Sequence, residues 1–145
     1  DSVLSGMSYP AGRLHSILRE KGLVYLVHGI NITGLEKGYF LIYALTSKDS
    51  AEKVKTIILD QINSIQKELV SDQEFEQAIS QLTFYYKDRI SSMDSLSIIS
   101  SADELYGRGF DYYSKIDQHV KLLSKEDILR TSKRYLKNPQ VYIFK

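Results

Sequence analysis

The sequence contains no cysteine. Disulfide bonds and thiolate metal sites are therefore excluded, while the compartment stays open, because either side of a bacterial membrane tolerates that absence. An excess of one charge is missing too: 19 Lys and Arg stand against 18 Asp and Glu, for a net charge of +1. Dedicated nucleic-acid binders carry a clear basic excess, so no nucleic-acid partner is expected. No apolar run approaches the ~20 residues that span a bilayer. No charged n-region followed by an apolar h-region opens the sequence, and no membrane partner is expected. Proline is confined to Pro10, inside a cluster of turn formers, and Pro139, which follows Asn138 at the end of a helical pattern.

Catalytic constellations are equally scarce. There are three histidines, His15, His28 and His119. None lies four residues from another, and none has a Glu placed to make an inverted zinc motif. Catalytic zinc needs three protein ligands, so no metal is expected on this chain alone. His28 reads as a strand histidine near a layer edge, and His15 and His119 as helix-surface residues. No Gly-x-Ser-x-Gly elbow and no phosphate-binding loop occur. Gly107-Arg108-Gly109 is too short for the latter and reads as a helix-ending turn. Nothing points to a Ser-His-Asp set.

What is present is the balance of an ordinary globular domain: 145 residues, 43% hydrophobic and 26% charged, enough for a real core. Residues 1–145 read as one domain. Asp1-Ser2-Val3-Leu4 lacks an initiator Met, so a piece of a larger polypeptide is expected. The 11 tyrosines suit half-buried positions and large amphipathic surfaces.

Along the chain, turn formers between Gly6 and Gly12 precede a short amphipathic helix over about Ala11–Lys21, with Leu14, Ile17 and Leu18 at helical spacing. Gly22 stops it. Val24–Ile32 alternates as a strand, with Val24, Leu26, His28, Ile30 and Ile32 on one face and Tyr25, Val27, Gly29 and Asn31 on the other. After a loop over Thr33–Gly38, Tyr39–Thr46 is apolar on both faces, which predicts a strand inside a sheet or under a helical layer. The two strands read as an antiparallel hairpin. Asp49–Glu52 is a capping-box variant opening a helix to Leu69, and Ser71–Glu74 is a second capping box. A Ser-rich junction over Ser91–Ser101 leads to a third helix ending near Gly107 and Gly109. Tyr112–Leu122 is a short helix or turn. Ser124–Asp127 caps a last helix, and Val141–Phe144 reads as a closing strand sharing the hairpin's sheet. Helix, two strands, several helices and a strand favour α+β, a mostly antiparallel sheet with helices packed on one face.

The most informative stretch is Leu14–Gly29, where a helical segment through Arg19-Glu20-Lys21 breaks at Gly22 and restarts at once as an apolar strand. Arg19 and Tyr25, two groups suited to holding a peptide or an oxyanion, flank that corner. The stretch resembles the "LREK-x-GLAY" signature of the M16 (pitrilysin and mitochondrial-processing-peptidase-like) metallopeptidases, in the half-domain that does not bind zinc. The resemblance continues in order: Ser5–Ser8 and Gly12–Leu14 match a Gly-rich turn before the first helix. Glu74–Ala78 is similar to an "ELE-x-A" pattern. Ser124–Ile128 with Lys133–Leu136 and Val141–Phe144 is similar to the family's closing helix and strand. This chain goes directly from Lys21 to Gly22, one residue shorter than the signature, and the zinc motif His-x-x-Glu-His is absent.

The resemblance implies a LuxS/MPP-like metallohydrolase fold and a non-catalytic half of a zinc-dependent peptidase, inactive alone. It implies a zinc-bearing half-domain as partner, in cis or in trans, with the zinc there, and a peptide as substrate. Arg19 and Tyr25 would be the substrate-binding residues, reaching the peptide backbone near the metal. The other function open at this point is an inactive peptidase-like scaffold or protein-interaction subunit.

Overall fold

The computed structural model describes residues 2–6, 11–34 and 36–144. Met7–Pro10 of the turn cluster and Leu35 of the hairpin loop lie outside the described residues. The chain forms α1 (Ser2–Ser5), a π-helical turn (His15–Arg19), β1 (Leu26–Ile32) and β2 (Tyr39–Leu45). A 3-10 turn (Lys48–Ser50) then leads into α2 (Ala51–Ile65), α3 (Asp72–Ile90) and α4 (Met93–Leu105). A second 3-10 turn (Tyr112–Lys115), α5 (Ile116–Lys121) and α6 (Lys125–Tyr135) complete the order. The architecture is α+β.

β1 and β2 pair antiparallel, with Leu26 opposite Leu45, His28 opposite Tyr43 and Ile32 opposite Tyr39. The period of two then decides the faces. Val27 and Gly29 on β1, with Phe40, Ile42 and Ala44 on β2, turn toward the helices. Leu4, Leu14, Leu18, Val24, Val27, Val54, Ile65 and Val70 form the core there, with Ile57, Ile58, Phe75 and Ile128 against it. Gly29 is where α1 meets the sheet: a Cβ would stand 3.3 Å from Ser5 Cβ and from the Phe40 ring. The missing side chain lets the Ser5 hydroxyl donate to the Gly29 carbonyl at 3.0 Å.

Local chemistry explains the helix ends. Ser71 Oγ accepts from the Glu74 amide at 3.2 Å while Glu74 accepts from the Ser71 amide at 3.0 Å, a reciprocal cap opening α3. Ser124 and Asp127 do the same for α6. The cap expected over Asp49–Glu52 does not form. A 3-10 turn precedes α2, so Ser50 already has helical dihedrals (φ −92°, ψ −10°) and its side chain makes no cap bond. The Ser-rich run is helix rather than junction, because Ser92 caps α4 by accepting from the Ser95 amide at 3.5 Å. Across the layer, the Ser132 hydroxyl donates to the Ile65 carbonyl at 2.8 Å and the Gln66 amide to the Leu136 carbonyl at 2.9 Å, fixing α6 to α2.

Two expectations about the sheet are corrected. β2 lies under the helical layer, one of its two expected placements, but on one face only: Phe40, Ile42 and Ala44 pack on the core while Tyr39, Leu41, Tyr43 and Leu45 are exposed, and among the described residues it is not an interior strand. Val141–Phe144 is not a strand, and Phe144 is 93% exposed. β-branched and aromatic side chains favour extended backbone, but a strand exists only where an edge receives it, and no described residue pairs with this segment.

Candidate functional site

The corner between the π-helical turn and β1 is built by backbone bonds. The Glu20 amide donates to the His15 carbonyl at 3.3 Å and the Leu23 amide to the Leu18 carbonyl at 2.9 Å, both five residues back. That wider ring admits an extra residue per turn. It also corrects the surface placement of His15, which the turn rotates inward with Leu14 and Leu18 until it is 8% exposed. Gly22, at φ +66°, then reverses the chain in a conformation that disfavours any side chain. The helical segment is therefore shorter than the expected Ala11–Lys21.

After the reversal, burial alternates out of step. Val24 is buried and Tyr25 is 70% exposed, whereas Leu26 is exposed and Val27 buried. The Tyr25 amide donates to the Leu45 carbonyl at 2.8 Å, so the corner is already paired to β2 one residue before β1 begins. The Arg19 guanidinium donates through Nη1 to the carbonyls of Val24, at 3.2 Å, and of Tyr25. Arg19 and Tyr25 are thus brought together, and the contact runs from guanidinium to backbone. Thr46, which the sequence reading did not single out, donates its hydroxyl to the Leu23 carbonyl at 2.6 Å. No local pattern marks it, because the two residues are 23 positions apart.

A second anchor lies beside the same turn. Arg13 Nε and Nη2 donate to the two oxygens of Glu74 at 2.5 and 3.1 Å, and Arg13 Nη1 reaches Ser64 Oγ at 3.4 Å. The Arg13 guanidinium, helped by the Ser71 bonds, holds the Glu74 carboxyl at about 2, well below its ordinary 4.5. This pair fastens the start of the turn to α3.

The histidines stay apart. His28 stands edge-on to Tyr43 at 6.0 Å. His119 is half-buried, its ring 4.5 Å from that of Tyr112, which corrects its surface placement. Gly107 and Gly109, at φ +72° and +90°, end α4 as expected. Between them, Arg108 reaches buried Asp103 at 3.4 Å and lies over the rings of Tyr106 and Tyr112. Burial is the largest cause lifting the nearby Tyr86 phenol above its ordinary value. An apolar cavity of about 530 Å³ opens between α1, α3 and α6, lined by Leu4, Phe75, Ile79, Leu82 and Ile128, and neither Arg19 nor Tyr25 borders it. Among the described residues, no group of three or more His, Asp or Glu could hold a metal ion. The described residues do not fit a zinc site.

Fold and corner together describe an α+β domain whose described residues gather no metal ligands. The family model described as the Peptidase M16 inactive domain matches residues 3–82, and the chain belongs to that family. Solved structures agree in fold. The inactive peptidase domain of a candidate zinc protease from Bordetella parapertussis superposes with a TM-score of 0.74 at 19% identity, over 93% of this chain and 71% of that one. A candidate zinc protease from Bordetella pertussis Tohama I gives 0.68 at 19% identity, over 93% and 73%. A peptidase M16 inactive domain from Pseudomonas fluorescens gives 0.78 at 22% identity, over 94% of this chain and 32% of that one. No curated protein matches the sequence.

Proposed function

We propose that this domain is the substrate-facing, non-catalytic half of an M16-type zinc peptidase. It closes one wall of the chamber, and its partner is the zinc-bearing half, in the same chain or another, which carries the metal. The substrate is a peptide held in extended form, since a sheet edge can bind backbone without reading sequence. The observation that carries the reading is the corner itself. An exposed Tyr25 phenol projects from backbone that Arg19 grips by its carbonyls. A phenol O–H carried on backbone held in this way can donate to a peptide carbonyl oxygen as it gains negative charge, and a neighbouring guanidinium favours the same charge.

The test uses the complete protein, this domain together with its zinc-bearing half. Loss of one preorganised donor costs about 10²–10³ in rate. Tyr25→Phe keeps the ring and removes the donor, so kcat falls with little change in KM and an unchanged melting curve. Equal kcat for the parent, Tyr25→Phe and Arg19→Ala would sink the reading. An inactive parent would replace it with the scaffold function.

A further inference from the structure

We infer that Thr46 is a positioning residue for Tyr25, acting through the backbone of the corner; the inference rests on the function proposed above. Four bonds define where the phenol starts. The Thr46 hydroxyl holds the Leu23 carbonyl at 2.6 Å, the Tyr25 amide holds the Leu45 carbonyl at 2.8 Å, and Arg19 holds the carbonyls of Val24 and Tyr25. The Thr46 bond is the one that ties the Leu23–Val24 peptide, the Leu45 bond and one Arg19 bond tie Val24–Tyr25, and the other Arg19 bond ties Tyr25–Leu26. Two of them come from the end of β2, whose register with β1 runs unbroken from Leu26 opposite Leu45 to Ile32 opposite Tyr39. The corner thereby takes its position from the sheet and not from the π-helical turn alone.

Thr46 is the member whose removal is most informative. Gly22 just before Leu23 has open space around it and a left-handed φ of +66°, so no side chain there restrains the backbone. Val24 is fixed by burial in the core. Leu23 is only partly buried, and the Thr46 hydroxyl is the tie that orients its carbonyl. With that tie cut, the peptide plane between Leu23 and Val24 is freed to rotate, and the approach to Tyr25 is left to the bonds from Arg19 and Leu45 alone. Displacement of a catalytic group by about 1 Å costs up to about 10²-fold in rate. An exposed side chain has no packing of its own to correct such an error. Arg19 acts in the same sense, because the nitrogen seen in contact is spent on the corner's own carbonyls.

Thr46→Val removes the hydroxyl at nearly constant shape, and Thr46→Ser retains it. In the complete zinc-loaded protein, Thr46→Val is expected to lower kcat by about tenfold to a hundredfold with KM within about twofold. Thr46→Ser is expected to restore most of the rate. On a Tyr25→Phe background Thr46→Val should add nothing, because the group it positions is gone. In the same variant the Tyr25 amide should exchange with solvent faster while amides of α2 keep their protection, a readout independent of turnover. If Tyr25→Phe leaves kcat unchanged, this inference fails; if Arg19→Ala also leaves it unchanged, or the parent has no activity, the proposed function fails with it. If Tyr25→Phe lowers kcat but Thr46→Val does not, or its effect multiplies with that of Tyr25→Phe, Tyr25 keeps its role and the positioning role is refuted. Equal loss in Thr46→Val and Thr46→Ser, or loss of α2 protection, would reduce Thr46 to a folding contribution and also refute it.

Discussion

Glu74→Gln isolates the charge that joins the π-helical turn to α3. Gln is accepted at this position of a capping box, so the Ser71 cap survives while the bidentate ion pair with Arg13 is lost. The Glu74 carboxyl sits at about 2 instead of 4.5. At about 1.36 kcal/mol per pKa unit that shift corresponds to a ceiling of about 3.4 kcal/mol. The glutamate side chain is 31% exposed and the arginine 15%. Solvent therefore screens the pair, and Gln keeps the cap's share. We expect a loss of about 2 kcal/mol at pH 7.

The pH dependence follows from the direction of the shift. A carboxyl lowered by folding stabilises fully above its unfolded value of 4.5, and the stability is lost as pH falls toward about 2. About 40% of the linked energy survives at pH 3. Urea unfolding of parent and variant at pH 7, 5 and 3 gives the stability difference directly, and all other titrating groups cancel between the two proteins. The difference should be flat from pH 7 to 5 and shrink by more than half at pH 3. A constant gap across that range, or one under about 0.5 kcal/mol at pH 7, would show that the pair is no more than a surface contact.

Three further outcomes are expected. Leu18→Ala, at a fully buried core position, should cost about 2–5 kcal/mol in chemical denaturation, and a change below about 1 kcal/mol would remove the π-helical turn from the core. Ser132→Ala leaves the Ile65 carbonyl without its buried donor; a loss of about 1–3 kcal/mol is expected, and equal midpoints for the two proteins would contradict the link between α6 and α2. The isolated domain should retain no stoichiometric zinc after dialysis by elemental analysis, since its described residues gather no ligand set, and one tightly held zinc abolished by His15→Ala, His28→Ala or His119→Ala would contradict that.

Elements governed by neighbours in sequence were legible. The Ser71 and Ser124 caps need only a Ser and an acid three positions on, and the hairpin follows from period-two patterning on both sides of a short loop. The corner was legible as a break at Gly22 with Arg19 and Tyr25 on either side. Its wiring was not. Arg19 bonds backbone, whose carbonyls carry no residue code, and Thr46 reaches Leu23 only because β2 returns alongside. The π-helical turn escaped because a shift from four-back to five-back bonding leaves the apolar spacing almost unchanged over so few residues. Val141–Phe144 has strand composition without a strand's partner, and composition alone cannot supply one.

The ion pair between Arg13 and Glu74 also sets a clock. Its members are 61 residues apart. At about 5–20 residues per second, a ribosome needs roughly 3–12 s to make the second after the first. During that interval β1, β2 and α2 can assemble with Leu14 and Leu18 of the turn in a common core, while the Arg13 guanidinium has no Glu74 to pair with until the α3 cap has emerged. The start of the π-helical turn consequently gains its tie to α3 late, when chain made after the hairpin folds back upon it.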